Sequence, residues 1–330
     1  MKSIGKLLIA LTAALSGAAF AQTSLLNVSY DVARELYKDI NPAFVASWKA
    51  RTGETITVNQ SHGGSSKQVS AVIAGLQGDV VTMNQAIDID TLAGKNLVRA
   101  DWRRAFPYDA NPYSSVSVFL VRNGNPQGIK DWNDLTRSGV KVIVPNPKLT
   151  GNGRYTYLGA YGYALQKTGS REQANAFLAK LFANVPVLDG GGRGATTTFT
   201  QRGIGDVLVT FENEAHLIEQ EVGAGKFDVV YPSVTIEAPA PVAVIDKVVA
   251  KHGTEKQAKA YLDFLYTNTG QEIIARHYLR PRNPAVLKKY AKQFPKVKTF
   301  TVESQLGGWA KVQKEHFADG GIYDQISRRK

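Results

Sequence analysis

Three short stretches of this chain join glycine to hydroxyl and cationic side chains. They are Ser61-His62-Gly63-Gly64-Ser65-Ser66, Pro147-Lys148-Leu149-Thr150-Gly151-Asn152-Gly153-Arg154 and Asp189-Gly190-Gly191-Gly192-Arg193-Gly194. Glycine lets a backbone approach a ligand closely. If a helix follows, its first N–H groups have no intrahelical partner and carry the positive end of the helix dipole. That chemistry is anion binding, to which Ser65 and Thr150 add hydroxyls. Taken singly, each run also reads as an ordinary strand-to-helix turn with a Ser, Thr or Gly cap. Three of them at the same point of successive strand–helix units favour a ligand site.

Other chemistries fit less well. The phosphate-binding pattern G-x-x-x-x-G-K-[ST] does not occur. Gly190-Gly191-Gly192-Arg193-Gly194-Ala195 matches G-x-G-x-x-A, with Glu212 and Glu214 at about the distance of a ribose-binding acid. The five histidines, His62, His216, His252, His277 and His316, are scattered and form no H-E-x-x-H, so no metal is expected. Ser61 or Ser65 with His62 could be a nucleophile and base, but no G-x-S-x-G elbow surrounds them. The chain has no cysteine, which excludes thiolate catalysis, disulfides and Fe–S clusters.

The elements that must carry the loops alternate. Strands are expected at 25–29, 55–59 and 79–82, with helices at 33–50 and 67–76 between them; Leu36, Ile40, Phe44, Val45 and Trp48 give the first helix its apolar spacing. Further strands are expected at 115–122, 140–145, 185–188, 206–210 and 241–245, with helices at 155–166 and from about 195, and a mainly helical chain from 256 onward. Repeated βαβ units imply an α/β fold with parallel sheets. Two such sheets suggest two lobes and a cleft, with ligand at the carboxyl ends of the strands. The chain should cross between lobes near 112–115 and return near 235–241, giving lobe 1 as 22–113 plus 240–330 and lobe 2 as 114–239.

Residues 1–21 read as an export signal: Lys2 and Lys6, an apolar run 7–15, and Ala19-Phe20-Ala21 as the cleavage site before Gln22. Export removes the chain from ATP and NAD pools, which weakens the dinucleotide reading. The 330 residues carry a formal charge of +12, which suits an anionic partner. No arginine–aromatic cluster or finger motif accompanies that charge, so nucleic acid is not expected; an anionic membrane surface stays open.

The residues also resemble a known family, the periplasmic sulfate- and thiosulfate-binding proteins of ABC importers. The resemblance runs from Leu25-Leu26-Asn27-Val28-Ser29-Tyr30-Asp31 through Gln60-Ser61-His62-Gly63-Gly64-Ser65-Ser66-Lys67-Gln68, Asp131-Trp132-Asn133-Asp134-Leu135, Gly192-Arg193-Gly194-Ala195 and Arg202-Gly203-Ile204-Gly205-Asp206-Val207-Leu208 to Gly307-Gly308-Trp309. It implies a two-lobed, hinge-closing periplasmic-binding-protein fold (type II), a monomer without catalysis or cofactor, that hands one tetrahedral dianion to a membrane permease. It carries anion contact over to the amide and hydroxyl of Ser65, the hydroxyl of Thr150, and the amides of Gly151, Asn152 and Gly192. Asp31, His62, Arg154 and Arg193 match residues that support those loops from behind. Phe211 departs from the pattern: sulfate-type members have a tryptophan there whose N–H reaches the anion, and Phe has no donor. Val209-Thr210-Phe211-Glu212 is closer to thiosulfate-type members, as are Asn84-Gln85 and Arg154-Tyr155-Thr156-Tyr157-Leu158. The expectation is a receptor for sulfate and/or thiosulfate. Its alternatives are a receptor for another oxyanion, such as molybdate or phosphate, or an exported hydrolase.

Overall fold

The computed structural model describes residues 23–223 and 225–327. The expected leader, 1–21, lies outside the described residues.

Alternating β-branched and apolar residues build a first sheet of four strands, in the order Val242–Val244, Val80–Thr82, Thr23–Tyr30, Ile56–Gly63. Three of them run parallel, and Val242–Val244 pairs antiparallel with Val80–Thr82. The helix Arg34–Thr52 buries Leu36, Tyr37, Ile40, Phe44 and Trp48 and ends at Gly53 in the left-handed region, with φ of 75°.

The second sheet is built on Tyr113–Arg122, buried along nearly its whole length. It is mixed rather than mainly parallel. Val207–Phe211, Phe227–Val230, Thr235–Ala240 and Arg280–Pro281 all pair antiparallel with the long strand, whereas Val142–Pro145 runs parallel to both Val207–Phe211 and Leu188–Asp189. The physical reason is the route of the chain. Tyr113–Arg122 enters from the first sheet without a crossover helix of its own sheet, and only such a crossover makes a sequential pair parallel. Tyr113 stands opposite Ala240, and the strand after Ala240 already belongs to the first sheet. The two sheets are therefore joined through adjacent strands.

At the centre of the second layer lies the helix Gly151–Thr168, buried on every side from Gly151 to Ala164. It contains Gly159 and Gly162, each of which costs about 1 kcal/mol in a helix relative to alanine. Close packing explains them: a Cβ on Gly162 would stand 2.3 Å from the Phe300 ring. The chain after Phe300 packs on this helix too. His316 Nδ1 meets the Tyr157 hydroxyl at 2.9 Å, Gln305 Nε2 donates to the Gly162 carbonyl, and Lys148 pairs with Asp324. These C-terminal residues, expected with the first sheet as part of 240–330, make these bonds to elements of the second. Among the described residues no helix is long and apolar enough to cross a membrane.

Candidate functional site

The three glycine-rich runs do not form long loops. The helices begin earlier than the sequence suggests, at Ser65, Gly151 and Gly192, and take in the last residues of each run. The strand Ile56–Gly63 likewise runs through Ser61 and His62. Free N–H groups of three helix ends thus follow the strands Ile56–Gly63 and Leu188–Asp189 closely, and the strand Val142–Pro145 after the short turn 146–150.

These three ends meet at Gly64. A Cβ there would lie 3.1 Å from the Leu149 carbonyl oxygen, 3.6 Å from the Gly190 carbonyl oxygen and 3.8 Å from Thr150 Cγ2. Leu149 and Gly190 belong to the second layer and Gly64 to the first, so the site bridges the two sheets. A Cβ on Gly151 would stand 2.1 Å from Asn84 Oδ1, and one on Gly192 2.9 Å from Val32 Cγ1 and 3.6 Å from Asn152 Nδ2. Side chains at those positions would hold the layers apart.

Ser65 is buried; its Oγ accepts a hydrogen bond from Gln85 Nε2 at 3.1 Å, and its hydroxyl also bonds to the Asp88 carboxylate. Thr150 behaves differently. Its hydroxyl caps the helix, accepting from the Gly153 amide at 3.0 Å and donating to the Asn146 carbonyl at 3.0 Å. In this arrangement its one proton is held inside the loop. Asn152 Nδ2 donates to Thr210 Oγ1. Phe211, next to Thr210, is buried, with its ring 5.8 Å from the Tyr155 ring, which in turn meets Trp309 edge-on at 5.4 Å. Beyond Tyr155 lies a separate cavity of about 330 Å³, lined among others by Trp102, Glu237, Arg282 and Glu303.

Behind the donors stand the charged residues. Asp31 follows the strand Thr23–Tyr30; its Oδ1 accepts from the Val32 amide at 3.0 Å and its Oδ2 from the Arg193 amide at 3.4 Å. Arg193 turns its guanidinium away from the helix end, to Glu214 at 3.6 Å and Glu221 at 3.5 Å. Arg154 donates from Nε to the Pro147 carbonyl at 3.1 Å and lies over the Phe317 ring. Both arginines hold loops in place. His62 Nδ1 donates to the Tyr30 carbonyl at 3.3 Å, and burial lowers its pKa below the ordinary histidine value. Ser61 bonds instead with Gln68, so neither serine is joined to His62 as a nucleophile to a base.

The sequence pattern does not place Asn84, Gln85, Glu214 or Asp88 at this junction; the structure brings them there. Gln85 Nε2 also donates to Asp88 Oδ2 at 2.8 Å. Burial raises the Asp88 pKa to about 6, against the opposing charge of Arg154 and the bonds from Gln85 and Ser65. Glu214 is fully buried; burial raises it to about 7, opposed first by Arg193 and then by the Thr196 hydroxyl, which donates to it at 2.8 Å. The two acids of the dinucleotide reading thus have structural partners, since Glu212 is clamped bidentately by Arg280. Buried polar atoms without a partner among the described residues include Ser66 Oγ, Asn84 Oδ1, Gln85 Oε1 and Asn152 Oδ1, all on these loops or on the residues packed behind them. Such atoms are costly unless a further group meets them, and a carboxamide can turn to offer its NH₂.

Three helix N-termini facing one junction between two layers form an arrangement that can take a small anion. Residues 28–280 match the family of bacterial extracellular solute-binding proteins. The chain is 59% identical to a thiosulfate-binding protein of Pseudomonas aeruginosa, over 97% of this chain and 96% of that one. It is 52% identical to a sulfate-binding protein of Escherichia coli, over 92% and 93% of the two chains. Among solved structures it superposes on the sulfate-binding protein SubI of Mycobacterium tuberculosis with a TM-score of 0.81 and 34% identity, covering 89% of this chain and 99% of the other. The chain belongs to the bacterial extracellular solute-binding proteins, within the group that contains these sulfate- and thiosulfate-binding relatives.

Proposed function

We propose that the protein is a periplasmic receptor that captures thiosulfate and/or sulfate between its two layers and delivers it to an ABC permease. The observation that carries this reading is the meeting of three helix ends at Gly64. Amides and hydroxyls there can satisfy a dianion that offers only acceptors, with the charge spread over helix dipoles and local bonds. The proposed contacts are Ser65 through its amide, and through its hydroxyl once that turns from Asp88, and the amides of Gly151, Asn152 and Gly192, with Phe211 as an apolar wall. Thr150 would contribute its hydroxyl only by releasing the Asn146 carbonyl. Asp31, His62, Arg154 and Arg193 keep the loops in register, and Asp88 with Gln85 holds Ser65.

The ligand bridges the layers and favours the closed arrangement. The protein acts as a monomer and catalyses no reaction; the engagement of His62 with a backbone carbonyl supports the absence of a serine–histidine pair. The leader would be cleaved after Ala21, so mass spectrometry of the exported protein should give Gln22 as the first residue. The deciding experiment is one calorimetric series with thiosulfate, sulfate, molybdate and phosphate. Tight binding of the first two alone is the expected result. Preference for molybdate or phosphate would reassign the ligand.

A further inference from the structure

Lys67 stands where helix electrostatics disfavours a cation. It is the third residue of the helix Ser65–Ile73, whose first turn contains no acid. A lysine at this end opposes the helix dipole, and an ordinary surface helix would place its cation at the other end. Lys67 is exposed, and no hydrogen bond or ion pair joins it to any described residue. Its Nζ lies 3.7 Å from where a Cβ on Gly190 would stand, so it reaches from the first layer to the loop of the second. The other cations of the three runs are occupied: Arg193 by Glu214 and Glu221, Lys148 by Asp324, and Arg154 by the Pro147 carbonyl within the field of Asp88.

We infer that Lys67 is the charge that draws a small inorganic dianion to the mouth of the site and keeps it there while the layers close. This rests on the anion-receptor reading above and adds to it the residue that governs capture. The donors of the site are held inside the closed junction and act at short range. An unpaired ammonium beside Gly190 acts over about one Debye length, roughly 10 Å at 0.1 M salt. Its cost to the helix is then offset by faster capture, and its effect should fall as salt rises.

The test is stopped-flow fluorescence of thiosulfate and sulfate binding by the full exported chain, across ionic strength, for wild type, Lys67→Gln and Lys67→Arg. Lys67→Gln should slow association about three- to tenfold at low salt and flatten its salt dependence, with little change in thermal stability; Lys67→Arg should restore both. Wild-type and Lys67→Gln rates that coincide at every salt concentration would overturn the inference, and so would a slowing that does not depend on salt. If wild type binds neither anion, the receptor reading itself fails, a result distinct from either of these.

Discussion

The backbone N–H of Arg193 points at the carboxylate of Asp31, 3.4 Å from Oδ2, and thereby ties the second layer to the first. Asp31 directly follows a strand of the first sheet, and Arg193 lies in the first turn of the helix Gly192–Thr200. The carboxylate satisfies one of that helix's free donors, next to the Gly192 amide proposed to meet the ligand. Two effects compete when Asp31 is changed. Removing its charge lessens repulsion of a dianion, while removing its oxygen frees the layers to separate. The bond is made only when the layers are together, so its loss should dominate. Asp31→Ala is expected to weaken anion binding by about two- to tenfold, the equivalent of one hydrogen bond of roughly 0.5–1.5 kcal/mol. Asp31→Asn keeps an acceptor and should lose less. Calorimetry on both variants checks this; tighter binding in either would mean that repulsion is the larger effect.

Gly151 and Asn84 make a second cross-layer contact. With a Cβ on Gly151 placed 2.1 Å from Asn84 Oδ1, Gly151→Ala requires the Asn84 side chain to move or the layers to part. Asn84 is short and buried, so it has little room to yield. Affinity should fall about tenfold or more, while the melting temperature of the ligand-free protein changes little. Asn84→Ala in the same chain should recover much of the loss. A double-mutant cycle measures this coupling, and simple additivity of the two changes would exclude the contact as the cause.

Phe211 offers a test of anion choice. Its ring packs on Tyr155 and offers no N–H or O–H donor. Phe211→Trp would add an N–H that can donate to an oxygen, whereas an apolar wall tolerates the softer terminal sulfur of thiosulfate. The sulfate-to-thiosulfate affinity ratio should shift toward sulfate by about tenfold, within the range for a hydrogen bond to a charged group. The ratio is the quantity to read, because a larger ring against Tyr155 will lower both affinities. An unchanged ratio would remove Phe211 from the choice.

Strands were legible because buried parallel strands are short runs of apolar and β-branched residues, as at Val80–Thr82 and Val142–Pro145. The helix starts were not. Glycine and asparagine in Gly151-Asn152-Gly153 read locally as loop, yet they begin a helix whose surroundings leave no room for larger residues: a Cβ on Gly153 would lie 2.4 Å from the Pro145 carbonyl oxygen. Thr235–Ala240 reads in the sequence only as part of the return between lobes, near 235–241, yet it is a strand in which Pro239 sits in register with Ser114. The loops of the site could be found as three similar runs, but their supports could not. Asp88 and Gln85 reach Ser65, and Glu214 reaches Arg193, across about 20 residues of sequence, and nothing in the local pattern marks such pairs.

Glu214 makes the stability of the ligand-free protein depend on pH. Burial raises its folded pKa to about 7 from an ordinary 4.5. Between those values the folded state holds a proton that the unfolded state has released, so stability falls as pH rises through this window. Below about 4.5 the group is protonated in both states and contributes nothing; above about 7 the full cost is present, on the order of 3 kcal/mol. Glu214→Gln keeps a partner for the Thr196 hydroxyl without the charge, and Arg193, which is part-exposed and also paired with Glu221, can be satisfied by water. Chemical denaturation of both proteins without ligand, from pH 4.5 to 8, should therefore show wild type losing more stability than Glu214→Gln as pH rises, by up to that amount. Parallel profiles would mean that Glu214 ionises in the folded protein as easily as in the unfolded chain.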